Sequence, residues 1–293
     1  LCFPEETLFF ALKSGRNDGH RYILELYHRG VRNFVVTEVP ANYASDYPQA
    51  NFLKVVDSLE SLQRLAERHR DEFNIPIVGI TGSNGKTMVK EWLNQLLSDD
   101  LFVTRSPRSY NSQVGVPLSV WLLNEHSQVG VFEAGISQPG EMLALRDIIQ
   151  PTIAVLTNLG DAHQENFVSR EAKCKEKLVL FHDAKIVVYN GDDSLISDCV
   201  NALEDFRGER LYWSCSDHNA PFFVKSIEKK ATATTITYIY KGIESWYSLP
   251  FIDDASITNS FACAAVALTL GVSKDALDER MLQLEPIAMR LEV

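Results

Sequence analysis

Apolar positions fall into short strand-like runs separated by stretches of helical period, and the rhythm changes twice along the chain. Near the start, Leu8-Phe9-Phe10-Ala11-Leu12 and Phe34-Val35-Val36-Thr37-Glu38 are strand-length apolar runs. Residues 21–29 between them are expected to form a helix that Gly30 stops, and 58–73 read as an amphipathic helix. From Asn74-Ile75-Pro76 the alternation becomes regular. Strands are expected at Ile77–Ile80, Leu101–Thr104, Gln128–Phe132, Thr152–Thr157 and Lys185–Tyr189. Helices are expected over Met88–Leu97, 118–124, Pro139–Ile149 and 169–182. Strands alternating with helices at this spacing predict a parallel, doubly wound sheet. Across 208–250 the chain turns β-rich and aromatic, with turns at His218-Asn219 and Lys241-Gly242, which predicts antiparallel strands extending that sheet. Helices over Ser256–Leu270 and Lys274–Leu284 close the pattern.

The expectation is therefore an α/β protein in two parts. Residues 1–73 form a small N-terminal α/β domain, and 74–293 form a central, doubly wound, mostly parallel domain with an antiparallel extension. A chain of 293 residues with 45% apolar content is long enough for both. The net charge, 28 − 39 = −11, argues against a nucleic-acid footprint while leaving room for a local basic patch that holds a phosphorylated ligand. No apolar run approaches the ~20 residues of a membrane span, and no signal-peptide pattern opens the chain. The cysteines (Cys2, Cys174, Cys199, Cys215, Cys263) are odd in number and lack a C-x-x-C pair, as expected of reduced cytoplasmic thiols. Cys174 lies between Lys173 and Lys175, cations that can activate a thiol, although an incidental cysteine on a helix surface is the simpler reading. The start at Leu1, without an initiator Met, is expected of a chain that begins inside a longer protein.

Candidate chemistry centres on Thr81-Gly82-Ser83-Asn84-Gly85-Lys86-Thr87, where a β-branched run enters a glycine turn and a helical pattern follows at once. Such a turn aims backbone N–H groups and a helix N-terminus at one anion. Lys86 would reach the outer phosphates and the Thr87 hydroxyl would sit on Mg²⁺. The spacing departs from the general phosphate-loop pattern, because Ile80 stands where its first glycine belongs. The alternative is a glycine turn with an incidental lysine. In doubly wound sheets ligands bind at the carboxyl ends of strands. Glu133, Asn158 and His163 all follow strand ends, so Glu133 is a candidate Mg²⁺ ligand and His163 a ligand or phosphate contact. Taken singly, each is an ordinary cap or loop residue. Lys173, Lys175 and Lys177 alternate with Glu171 and Glu176, which reads as a solvated face, except that Lys177 adjoins the apolar Leu178–Phe181. The turn at 13–20 gathers Lys13, Arg16, Asn17, Asp18 and His20, more often a solvated loop than a site.

Taken together these motifs resemble the Mur ligase family, ATP-dependent amide ligases of peptidoglycan precursor synthesis. The phosphate loop matches the family's, including its unusual spacing. Asn111 with Gly115-Val116-Pro117, Thr157-Asn158 with His163, Lys177-Leu178, and Asn190-Gly191-Asp192-Asp193 resemble further family segments. Glu133-Ala134-Gly135 with Gly140-Glu141 resembles the branch that joins D-Ala-D-Ala to UDP-N-acetylmuramoyl-tripeptide. The resemblance implies ATP and paired Mg²⁺ chemistry through an acyl phosphate, with Thr87 and Glu133 on one ion and His163 and a carbamylated Lys177 on a second. It also implies nucleotide contacts from Asn158, Asn259 and Arg290, and substrate contacts from Ser14, Asn17, His20 and Asn111. It places the protein in the cytoplasm. Ser14 stands where a Gly is common, and only Asn259 matches the start of the late helix, which leaves the adenine contact open there. Pro286–Glu292 resembles the linker into the family's C-terminal domain, outside these residues, and fusion to other domains stays open. Two alternatives remain: another ligase of the superfamily, such as folylpolyglutamate synthase, or a nucleotide-binding fragment that does not catalyse.

Overall fold

The computed structural model describes residues 3–287 apart from Arg16 and His163. The chain divides into two compact units, Leu1–Arg68 and His69–Val293. In the first, β1 (Leu8–Phe10), α1 (Ile23–His28), β2 (Asn33–Val36), α2 (Tyr43–Asp46), β3 (Asn51–Lys54) and α3 (Ser58–Arg70) follow in order, the division falling inside α3. The strands form a parallel sheet in the order β1-β2-β3. Its core is Ala11, Ile23, Val31, Phe34 and Val36. The apolar runs foretell β1 and β2. Neither α2 nor β3 is expected from pattern: β3 is Asn-Phe-Leu-Lys at a sheet edge, with no residue fully buried, so it carries no apolar run.

The second unit runs β4 (Ile77–Thr81), α4 (Lys86–Leu97), β5 (Val103–Arg105), α5 (Gly115–Val120), β6 (Val129–Glu133), α6 (Glu141–Ile149), β7 (Ile153–Leu156) and α7 (Arg170–Leu178). It continues through β8 (Ile186–Asn190), α8 (Ser194–Asn201), β9 (Glu209–Ser214), β10 (Phe222–Lys229), β11 (Thr234–Tyr240), β12 (Ile243–Leu249), α9 (Asp254–Thr269) and α10 (Lys274–Leu282). Its strands form one sheet, in the order β12-β11-β10-β9-β8-β7-β4-β6-β5. The order reverses at β4, so the loop after β4 lies at a topological switch point, where doubly wound sheets bind ligands. β4, β6 and β7 are buried throughout, which is why they read as continuous apolar runs.

The sheet is mixed as expected, but its antiparallel part is smaller than the pattern predicts. β9 lies parallel to β8, and β10 enters parallel to β9 through Phe222↔Trp213 and Phe223↔Ser214. Only β10-β11-β12 are antiparallel. The first residues of β10 pair with the last of β9, so the chain advances past the end of β9 without turning back. A short connection therefore suffices without a crossover helix. One face of the sheet is sealed by α4, α9 and α10. There Trp92 is wholly buried and stacks on Phe251 at 5.1 Å, and the Ala-rich α9 brings its backbone close to α4. The helix expected over 169–182 ends at Leu178 and tightens into a 3₁₀ turn over Val179–Phe181.

Candidate nucleotide-binding site

The β4–α4 turn is shaped by two glycines in the positive-φ region. Gly82 has φ +146°, and a Cβ there would collide with the Thr157 hydroxyl at the end of β7. Gly85 has φ +81°, and a Cβ would come within 2.6 Å of Asn259 Oδ1 on α9. Any side chain would be strained at both positions. Asn158 then fastens the turn: its carbonyl accepts from Ser83 N at 3.0 Å, its Oδ1 accepts from Asn84 N at 3.0 Å, and its Nδ2 donates to the Asn84 carbonyl at 3.2 Å. The Thr157 hydroxyl donates to the same Asn84 carbonyl, and Ser83 Oγ donates to the Gly160 carbonyl at 3.1 Å. The loop is thus held by the neighbouring strand end and not by its own sequence alone.

Helix α4 begins at Lys86, two residues earlier than the apolar pattern suggests, because Gly85 supplies the turn that starts it. Lys86 Nζ donates to the Gly82 carbonyl at 2.9 Å, and Lys177 Nζ, from α7, reaches the same carbonyl at 3.3 Å. Burial lowers the Lys86 pKa, with Glu133 opposing that shift. Lys177 is pulled down from 10.5 to about 7, first by burial and then by the charges of Lys86 and Lys173. Lys173 is itself buried and lowered by desolvation, and it donates to the Gly160 carbonyl at 2.6 Å. Cations thus cluster around Gly82 and Gly160, a disposition that favours an anion such as a phosphate chain.

Glu133 is the last residue of β6 rather than a loop residue beyond it, and it is wholly buried. Its Oε2 accepts from Thr87 Oγ1 at 3.1 Å and from Asn111 Nδ2 at 3.4 Å. Its Oε1 faces Lys90 Nζ at 3.1 Å, whereas the buried Thr81 hydroxyl makes no hydrogen bond. Among the described residues no three His, Cys, Asp or Glu side chains cluster as a metal cage. One carboxylate beside one hydroxyl, at a phosphate loop, is the donor set that suits Mg²⁺, which keeps waters and shares its shell with phosphate oxygens. The residues present fit that ion. A cavity of about 300 Å³ opens beside this cluster, lined by Gly82, Lys86, Asn111, Ser137, Glu141 and Lys177 among others.

The structure brings together Thr81, Gly82, Ser83, Asn84, Gly85, Lys86, Thr87, Asn111, Glu133, Asn158, Lys177 and Asn259. His163 and Arg290 lie outside the described residues. Ser14, Asn17 and His20 sit in the first unit. There Ser14 N donates to the Asn17 carbonyl at 2.8 Å. His20 Nδ1 stands 2.7 Å from Asp18 Oδ1, and its Nε2 accepts from Thr37 N at 3.1 Å. Both ring nitrogens are therefore engaged within that unit.

The expected solvated face of α7 needs correction. Lys175 is exposed and pairs with Glu171, and Lys177 is buried as its apolar neighbours suggested, but Lys173, one turn away, is buried as well. Glu176 instead caps α6, accepting from Gly140 N at 2.9 Å and Met142 N at 3.1 Å. Cys174 is buried and burial raises its thiol pKa, so it is neither the surface cysteine nor the activated thiol of the two sequence readings. The sequence reading also missed Lys90, whose i, i+4 spacing from Lys86 was the available signal.

A glycine loop at a switch point, feeding a Lys-Thr helix aimed at a strand-end carboxylate, defines a P-loop nucleotide-binding domain. Residues 80–267 match the profile of the Mur ligase middle domain, and the chain belongs to the Mur ligase family. It is 27% identical over 296 residues to the UDP-N-acetylmuramoyl-tripeptide--D-alanyl-D-alanine ligase of Bacillus subtilis, covering 99% of this chain and 61% of that one. The Escherichia coli ligase of the same name is 28% identical, covering 97% and 62%. The MurF ligase of Thermotoga maritima in complex with ADP superposes with a TM-score of 0.83 at 26% identity, covering 97% and 65%. The chain thus spans about three-fifths of the length of these relatives. Among the described residues no helix is long and apolar enough to cross a membrane.

Proposed function

We propose that this chain supplies the ATP-binding part of an amide ligase that joins D-Ala-D-Ala to UDP-N-acetylmuramoyl-tripeptide in the cytoplasm. The observation that carries the reading is the convergence of Thr87, buried Glu133, Lys86 and Lys177 on one loop, beside a cavity with room for a reacting group. The names of the curated relatives supply the substrates.

A carboxylate does not yield its oxygen to an amine unaided, so it must first be activated. In the proposed reaction the γ-phosphoryl of ATP passes to the tripeptide carboxylate, giving an acyl phosphate and ADP. The D-Ala-D-Ala amine then attacks, and phosphate leaves. Positioning and charge neutralisation carry phosphoryl transfer. The Gly82–Thr87 turn presents backbone N–H groups to the phosphates. Lys86 exchanges its contact with the Gly82 carbonyl for the outer phosphates. Mg²⁺, when bound, neutralises charge on the transferring group, with Thr87 and Glu133 as the proposed ligands of one ion and His163 and Lys177 of another. Asn158 acts through the loop it fastens. Asn259 and Arg290 are proposed nucleotide contacts, Asn111 faces the acceptor, and Ser14, Asn17 and His20 belong to the unit proposed to hold the UDP end.

Lys177 is proposed to act as its carbamate. A lysine with a pKa of about 7 holds much of its amine uncharged at neutral pH. The free amine adds to CO₂, losing one proton and giving an anionic oxygen donor suited to Mg²⁺. The test of the whole reading is phosphate release from ATP by the full protein that contains this chain. Release should require both the UDP-tripeptide and D-Ala-D-Ala and should vanish in Lys86→Ala. Equal release without either substrate would overturn the assignment.

A further inference from the structure

Lys90 is wholly buried, and neither the phosphate-loop motif nor the family resemblance gives it a role. It lies one turn beyond Lys86 on the same face of α4. Its Nζ stands 3.1 Å from Glu133 Oε1 and 3.0 Å from Glu91 Oε1. It donates to the Ser106 carbonyl at 2.9 Å and to the Arg108 carbonyl. An ammonium has three protons to give, so this group is saturated by partners from three separate segments. Arg105 Nε balances Glu91 from behind at 2.9 Å, which leaves Lys90 as the ion-pair partner of Glu133.

Two of those partners begin the loop that carries Asn111. Arg108 holds φ +49°, a left-handed conformation that a non-glycine residue keeps only when its surroundings fix it. The bond from Lys90 to its carbonyl is such a constraint. The Glu133 carboxylate is meanwhile divided between two sides. Oε1 faces Lys90, and Oε2 faces Thr87 and Asn111. Because a carboxylate is planar, fixing its inner oxygen aims the outer one.

We propose that Lys90 is a positioning residue: it holds Glu133 by its inner oxygen and the loop after β5 by its carbonyls, so that Oε2 is presented to Thr87 and Asn111. Its consequence for metal rests on the nucleotide reading given above. Residues that orient a metal ligand change metal affinity by about 10- to 100-fold when removed.

The test uses this chain, ADP titrations with Mg²⁺ and with EDTA, and thermal unfolding of Lys90→Met, Glu133→Gln and the double variant. Breaking one partner of a buried pair should lower the unfolding midpoint of Lys90→Met by about 10 °C. Adding Glu133→Gln should recover a large part of that loss, since no charge is then left unpaired. The strengthening of ADP binding by Mg²⁺ should fall by about tenfold in Lys90→Met, with binding in EDTA within about twofold of the parent. A merely structural role would weaken ADP equally in both conditions. Should Lys90→Met not fold, Lys90→Gln, which keeps a donor for the loop carbonyls, carries the same readings. A folded variant that keeps the full Mg²⁺ strengthening overturns the proposal. If the parent chain itself shows no Mg²⁺ strengthening, the nucleotide–metal reading fails instead. The Lys90–Glu133 pairing is then decided by unfolding: coupled shifts sustain it and additive shifts overturn it.

Discussion

Lys177→Met should change how stability depends on pH, and the size of the change follows from the buried cluster. In the folded chain Lys177 titrates near pH 7, against 10.5 ordinarily. That difference corresponds to on the order of 5 kcal/mol between the ammonium in the fold and in water. Below pH 7 both states are protonated and the full penalty stands. Between pH 7 and 10.5 the unfolded chain binds more protons than the folded one, so stability rises with pH. Integrated from pH 6 to pH 9, the gain is on the order of 2–3 kcal/mol. Lys86 and Lys173 are also lowered by burial and both remain in the variant, so the difference between the two proteins reports Lys177 together with its mutual repulsion with them. The assay is urea unfolding in CO₂-free buffer, followed by tryptophan fluorescence. Trp92, Trp121, Trp213 and Trp246 all lie in the second unit, so the signal reports that unit alone. The parent should gain stability from pH 6 to pH 9, and Lys177→Met should be flatter and more stable than the parent at pH 6. Equal pH slopes in the two proteins would refute the argument.

Two further outcomes follow from the same cluster. Gly82→Ala should destabilise the chain by about 2–4 kcal/mol, measured by urea unfolding, because its φ of +146° and the Thr157 hydroxyl both reject a Cβ. Intact-mass measurement of the bicarbonate-equilibrated, Mg²⁺–ADP-bound chain under non-denaturing conditions should show one added CO₂ that Lys177→Met lacks; its absence from the parent would count against the carbamate.

The alternation of apolar runs and helical periods made the parallel core of the second unit legible, because strands buried on both faces leave continuous apolar sequence. Edge elements were harder to see. β3 buries too little to leave a pattern, and the direction of β9 and β10 depends on which ends pair, which local sequence does not encode. At the site, the glycine spacing and the Lys-Thr pair were legible because a tight phosphate-binding turn admits few residue types. Lys90 and Lys173 were not, since a lysine on a helix normally reads as solvated. Their burial is set by what faces them in the fold: Glu133 and two loop carbonyls for Lys90, and the Gly160 carbonyl for Lys173.

The central claim is that this loop delivers a phosphoryl group to a carboxylate. It is tested most directly with UDP-N-acetylmuramoyl-tripeptide labelled with oxygen-18 in its terminal carboxylate, incubated with ATP, D-Ala-D-Ala and the full protein that contains this chain. Transfer through an acyl phosphate predicts that one labelled oxygen appears in the released phosphate. Amide product accompanied by unlabelled phosphate would contradict the account.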